Sequence, residues 1–265
     1  MALGNRARSV AGIIGVLAVV AAGVVGMPMA ASADETLVPA DEAMVRTTAL
    51  PDTVSADALP TVQIDEGVVW TQVVVGDIVY AGGQFSNVRP AGASKGTQLV
   101  PRSNMVAYNI KTGKLVESFK PSFNNRVSDI AASPDGTKLF VVGTFTSVDD
   151  QPRSRIAVFD LPSGELSTTL VPRINGTAQS VAATNDTLYL GGYFSSVNGT
   201  SRARVAAVNI HNNRILPFRP IVDDGMVQSL AVSPDGNEVI LSGSFGSVEG
   251  SAESGFGLAR VDAVT

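Results

Sequence analysis

The chain repeats itself. A Gly-x-Phe step closes an apolar run at Gly83-Gln84-Phe85 and returns at Gly143-Thr144-Phe145, Gly192-Tyr193-Phe194 and Gly243-Ser244-Phe245. The four phenylalanines stand 60, 49 and 51 residues apart. A unit that recurs at this spacing cannot bury its own apolar face, so neighbours must stack and bury it together. That leaves few architectures: a solenoid, a ring of blades or an array. It also limits what conspicuous residues can mean, because most of them belong to the repeat.

Each full unit carries four strand signals, clearest in the second. Val127 to Ala132 is apolar, and Ser133-Pro134-Asp135-Gly136 is a turn in which Pro presets φ and Gly accepts a positive φ. Lys138 to Val142 is almost continuously apolar, the mark of a strand buried on both faces. Arg155 to Asp160 is the third strand, and Glu165 to Leu170, after the turn at Gly164, is the fourth. Gly113, Gly164 and Asn213 share one aligned turn position, and Gly and Asn are the residues that tolerate the left-handed conformation there. No long helix is expected beyond the N-terminal segment. The expected fold is therefore all-β: a β-propeller of four-stranded antiparallel blades repeating at about 50 residues.

The fourth unit reads Ser229-Leu230-Ala231-Val232-Ser233-Pro234-Asp235-Gly236, then Ile240-Leu241-Ser242-Gly243-Ser244-Phe245, then Leu258-Ala259-Arg260-Val261-Asp262. It resembles the delta-60 family of bacterial β-propeller repeats. The second unit matches nearly as well. The third has Thr184-Asn185-Asp186 in place of the Pro-Asp-Gly turn, and the first has an insertion between Val88 and Arg102. The resemblance covers roughly residues 67–265. It implies a secreted or cell-surface bacterial propeller, often one module of a larger protein, and no particular reaction.

The N-terminus carries Arg6 and Arg8, an uncharged apolar run from Val10 to Val25, and then Ala31-Ser32-Ala33. This is the layout of a secretory signal peptide cleaved after Ala33, with Ala31 and Ala33 as its small residues. The run is shorter than the ~20 residues that span a bilayer comfortably. The expected organisation is a signal peptide at 1–33, a spacer at 34–58 rich in Ala, Thr, Asp, Glu and Pro, and a partial propeller at 59–265. Its repeats run at about 67–122, 125–173, 176–221 and 225–265. Ala58-Leu59-Pro60, Val62 and Ile64 read as the tail of a fourth strand ahead of the first repeat. The last repeat stops before its turn. The ring is expected to be incomplete, about four blades of a longer propeller, or else completed by a second chain.

Composition excludes several functions. A formal net charge of −5 gives no footprint for nucleic acid or an anionic membrane. The absence of Cys removes thiol nucleophiles, disulfides and Cys-rich zinc sites. No phosphate loop or haem signature appears, and no cofactor is expected. His211, the single histidine, sits in a hairpin turn, a poor place for a base that a third group must orient. Gly92-Ala93-Ser94-Lys95-Gly96 matches the nucleophile-elbow spacing but lacks its strand-turn-helix setting.

A few residues remain as weak candidates for ligand binding. Arg102, Arg153 and Arg202 align where the third strand begins, and form either a basic rim for carboxylates or hydrogen bonds internal to the repeat. Trp70, the only tryptophan, is aligned with Val127, Ala178 and Val227, and is either core or a sugar-stacking platform at the channel mouth. Asp129 departs from its aligned Ser180 and Ser229. Asp149-Asp150 and Asp223-Asp224 lie in loops; paired carboxylates serve glycoside cleavage only when held about 5–9 Å apart across a cleft. The expected function is a non-catalytic binding or scaffold module, secreted or on the cell surface, whose partner is an extracellular protein or glycan. The alternative is an exported carbohydrate-active hydrolase or lyase using carboxylates at the channel mouth.

Overall fold

The computed structural model describes residues 58–251 and 256–264. The expected signal peptide, with Ala31 and Ala33, and nearly all of the expected spacer lie outside the described residues. Twelve principal strands form four antiparallel sheets. Sheet 1 contains β1 (Gly67–Val75), β2 (Ile78–Phe85) and β3 (Met105–Asn109). Sheet 2 contains β4 (Val127–Ala132), β5 (Lys138–Gly143) and β6 (Ile156–Asp160). Sheet 3 contains β7 (Thr177–Ala183), β8 (Thr187–Tyr193) and β9 (Val205–Asn209). Sheet 4 contains β10 (Val227–Val232), β11 (Glu238–Gly243) and β12 (Leu258–Asp262). In every sheet the middle strand in sequence pairs with the other two. Among the described residues there is no helix long and apolar enough to cross a membrane.

The first strands β1, β4, β7 and β10 lie against one another in turn. This is the arrangement of consecutive propeller blades, and the chain forms no closed ring among the described residues. The fourth strand is shorter than the sequence implies. Only sheet 2 has one, at Glu165–Leu166, while sheets 1 and 3 keep the single bridges Tyr108↔Leu115 and Val208↔Ile215. The outgoing chain leaves the sheet early because its next apolar residue is needed elsewhere. Phe119, Leu170 and Phe218 are buried between successive sheets. Phe119 packs edge-on against Tyr80 of sheet 1 at 5.0 Å and Phe159 of sheet 2 at 5.3 Å. Phe218 meets Tyr189 in the same way at 5.3 Å.

The Gly-x-Phe steps have one structural meaning in all four sheets. The phenylalanines are buried, and Phe145, Phe194 and Phe245 each lie in the apolar layer between their own sheet and the one before. The carbonyls of Phe85, Phe145, Phe194 and Phe245 accept from the N–H groups of Asn104, Arg155, Arg204 and Gly257. The carbonyls of those same four residues accept in turn from the N–H of Gly83, Gly143, Gly192 and Gly243. This two-bond clasp holds Asn104, Arg155, Arg204 and Gly257 at φ of 65–72°. Opposite each glycine the first strand bulges, between Val69/Thr71, Val127/Asp129, Ala178/Ser180 and Val227/Ser229. The bulge brings a carbonyl close: a Cβ on Gly143 would meet the Arg126 carbonyl oxygen at 2.2 Å. The repeat therefore needs glycine at this position. Gly113, Gly164 and Asn213 all adopt left-handed conformations, as their turn position requires.

Candidate functional site

Most of the polar residues singled out by the sequence maintain the repeat. The backbone N–H of Arg102, Arg153 and Arg202 donates to Ser86, Thr146 and Ser195. Their guanidinium groups turn inward. Nη1 of each donates to the preceding carbonyl, of Pro101, Pro152 and Ser201. Nη2 donates to the outgoing chain of the same sheet: Glu117 in the first, the Ser167 and Leu216 carbonyls in the others. Arg102 and Arg153 are only 5% and 8% exposed, and burial lowers the pKa of Arg153 and Arg202. Of the two readings of these arginines, hydrogen bonds internal to the repeat describe their Nη1 and Nη2 groups, while Nε of Arg102 and of Arg202 is buried without a partner. Arg155 and Arg204 reach the incoming chain of the next sheet instead. Nη1 of Arg155 donates to Ile174, and Nε and Nη1 of Arg204 donate to Gly225 and Val222.

The carboxylates are used similarly. Asp149 accepts from the Ser122 N–H at 2.8 Å, and Asn198 and Glu249 do the same for Arg173 and Ile221 in later units. Asp224 accepts from the Gly246 N–H and Asp223 from the Ser247 hydroxyl. His211 Nε2 lies 2.8 Å from Asp186, and Lys111 meets Asp77 at the same place in sheet 1. The elbow-like Gly92–Gly96 stretch lies in a loop, where the Gly96 N–H donates to Asp65. Among the described residues no three His, Asp or Glu side chains cluster so as to hold a metal ion.

Asp129 joins three sheets. Its Oδ1 accepts from the Thr71 hydroxyl of sheet 1 at 3.0 Å and from the Ile130 N–H of its own strand at 2.9 Å. Its Oδ2 accepts from the Val181 N–H of sheet 3 at 3.0 Å. Burial pushes its carboxyl above the ordinary value, and these three bonds oppose the shift. Thr71 is the equivalent residue of sheet 1 and likewise accepts from the Ile130 N–H of the next sheet. In sheet 3 the position is Ser180, whose buried hydroxyl has no partner.

Trp70 behaves differently. The ladder pairs Val69 with Gly83 and Val127 with Gly143, so the residue equivalent to Val127 is Val69. The sequence alignment of Trp70 with Val127, Ala178 and Val227 is therefore one residue out of step, because the bulge follows it. Trp70 is the bulged residue, matched by Ser128, Gln179 and Gln228. It is 45% exposed, with the Arg126 guanidinium 5.4 Å from its ring centroid. Arg126 lines a cleft of about 650 Å³ between sheets 1 and 2. Asp65, Glu66, Gln84, Ser86 and Asn87 are on its walls. The insertion between Val88 and Arg102 borders it, through Lys95 to Glu66 at 3.3 Å and Arg89 to Asp65 at 3.4 Å.

A related cleft of about 370 Å³ occurs at the same end of sheet 3, lined by Asn175, Tyr193, Ser195 and Arg204. Tyr193 is 62% exposed, with Arg204 6.0 Å from its centroid. Sequence reasoning missed Tyr193, which is the middle residue of its Gly-x-Phe step. The signal was present, since the corresponding residues are Gln84, Thr144 and Ser244.

Repeated sheets joined through their first strands, with loop clefts at one end, define a β-propeller. A family model for the Rax2 C-terminal beta propeller domain matches residues 105–253, more than half of the chain, and the chain belongs to that family. No curated protein matches it. Similar solved structures include the computationally designed Ika4 protein, at 13% identity and a TM-score of 0.45, covering 69% of this chain and 90% of that one. The RRP9 WD40 repeats are 14% identical with a TM-score of 0.47, covering 77% and 55% of the two chains. A chain of the nidogen/laminin complex is 13% identical with a TM-score of 0.42, covering 68% and 58%. The chain thus spans little more than half the length of the RRP9 and nidogen/laminin structures. A propeller of this kind fits a binding or scaffold module.

Proposed function

We propose that this protein is an exported, non-catalytic binding module of the delta-60 type, and that it binds through the end of the sheets where the second strands finish. Export rests on Arg6, Arg8, the apolar Val10–Val25 stretch and Ala31-Ser32-Ala33. The delta-60 grouping rests on the Ser-Pro-Asp-Gly turns and Gly-x-Phe steps. The observation that carries the binding reading is a division of labour. Residues that recur in the repeat are spent on its frame, whereas Arg126 and Gln84 in one cleft, Trp70 beside Arg126, and the bordering insertion between Val88 and Arg102 break the pattern. A hydrolase reading has less support, because Asp129 is wedged between sheets, Asp149 and Asp224 cap backbone N–H groups and Asp223 accepts from the Ser247 hydroxyl.

The test is hydrogen exchange of the purified chain with and without envelope material from the producing cells. Slowed exchange confined to residues 65–67, 84–103 and 124–126 is expected. Unchanged exchange there, or breakdown of the envelope polysaccharide that Asp129→Asn abolishes, overturns the reading. Expression in an exporting host should yield a mature N-terminus at Asp34; an intact Met1 terminus on the exported protein overturns the cleaved-leader part.

A further inference from the structure

We infer that the ligand is a polyhydroxylated chain, an oligosaccharide long enough to touch two exposed aromatic rings, Trp70 at sheet 1 and Tyr193 at sheet 3. This rests on the binding-module reading and narrows it to a chemical class. The argument starts from what the repeat does not explain. An aromatic residue that served the blade frame would recur, as the Gly-x-Phe phenylalanines do. Trp70 instead replaces Ser128, Gln179 and Gln228 at the bulge, and Tyr193 replaces Gln84, Thr144 and Ser244. Bulges re-aim side chains and are enriched beside functional sites. Trp70 and Tyr193 are 45% and 62% exposed, so each ring leaves part of a face open to a ligand. Each has an arginine near its ring, and each stands at a cleft or on a residue that lines one.

The surrounding groups select the class. In the sheet 1 cleft the acids are already matched: Asp65 by Arg89, Glu66 by Lys95. The Arg126 guanidinium, beside the Trp70 ring, is the one lining cation without an acid partner among the described residues. The other open groups are neutral. The Gln84, Ser86 and Asn87 side chains make no hydrogen bond among the described residues, and Gln84 and Ser86 are exposed. Amides and hydroxyls that donate and accept, beside an aromatic face, suit the hydroxyls and the apolar C–H face of a pyranose ring. Two such clefts at the same end of sheets two blades apart favour an extended chain over a single sugar. Contact at both sites raises affinity only for a ligand able to span them.

The chain has one tryptophan, so its fluorescence reports on this cleft alone. The full chain is titrated with cellohexaose, chitohexaose, laminarihexaose and maltohexaose, and with the matching disaccharides. At least one hexasaccharide is expected to shift the Trp70 emission. Tyr193→Ala should weaken it about tenfold while changing the disaccharide less than about twofold. Trp70→Phe, read by calorimetry, keeps a stacking ring and should retain binding that Trp70→Ala loses; far-UV circular dichroism confirms that each variant is folded.

If no saccharide perturbs Trp70 but an envelope protein slows exchange at the same cleft, the glycan inference falls and the binding module stands. If neither a saccharide nor envelope material acts there, both fall. Saccharide binding that survives Trp70→Ala and Tyr193→Ala overturns the assignment of the site.

Discussion

Asp129 shows how a single departure from the repeat becomes structural. Two of its neighbours in the repeat pattern are serines, yet only a carboxylate can accept from Thr71, Ile130 and Val181 together. Asp129→Asn would turn an amide donor toward the Val181 or the Thr71 and Ile130 donors, at a cost of about 1–3 kcal/mol. Its pH dependence has a definite sign. The folded-state pKa is raised from 3.8, chiefly by burial. Its contribution is therefore whole below the unfolded value and is lost as pH rises through the raised folded value. Asp135 and Asp235 behave oppositely. The Ser133 and Ser233 hydroxyls lower their pKa values, so their contribution is present above the unfolded value and is lost as pH falls through the depressed one. Urea unfolding from about pH 2 to about pH 7 should show the gap between wild type and Asp129→Asn narrowing as pH rises. The gap to Asp135→Asn/Asp235→Asn should widen.

At the level of the strand, the unit is organised around a bulge and the glycine facing it. Gly143 is packed against the Arg126 carbonyl, whereas Gly236 lies in a turn with open space around it and a φ of 75°. The two glycines are thus required for different reasons. Gly236→Ala should cost about 1–2 kcal/mol from backbone conformation alone. Gly143 has no left-handed φ, and Gly143→Ala must instead push the facing carbonyl away, at a cost of about 1–3 kcal/mol. Thermal unfolding of the two variants measures both losses, and a Gly143→Ala loss within about 0.5 kcal/mol would deny the bulge its role. The bulge also marks where sequence reading lost its register. The first three strands of each unit, their turns and the insertion were legible from local patterns, whereas the fourth strand is shorter than those patterns imply. An extra residue in β1 leaves the alternation of apolar residues nearly intact on a strand so rich in valine, and Trp70 was consequently placed one residue away.

Three apolar layers are each shared by two successive sheets, so stability is expected to be nearly additive along the array. Phe145 lies in the layer between sheets 1 and 2, and Phe245 in that between sheets 3 and 4. Phe145→Ala and Phe245→Ala should each cost about 3–5 kcal/mol. Hydrogen exchange should accelerate first in the two sheets flanking the altered layer. Uniform acceleration in all four sheets would mean that the unit opens as one body. The family match and the sheet order agree on the propeller class, while the ligand face depends on which residues escape the repeat.

The sequence by itself determined the kind of unit, its number of appearances and the residues that had to be buried, because periodic hydrophobicity and turn chemistry act over a few neighbouring residues. Only the tertiary structure decided which polar residues were left over. Arg102 and Arg153 are polar in any reading, yet the outgoing chain of each sheet brings the Glu117 carboxylate and the Ser167 carbonyl to their Nη2 groups. Trp70 and Tyr193 are apolar in any reading, yet the packing of neighbouring sheets leaves them in solvent. Availability of a side chain depends on what the fold places opposite it, and that partner is distant in sequence.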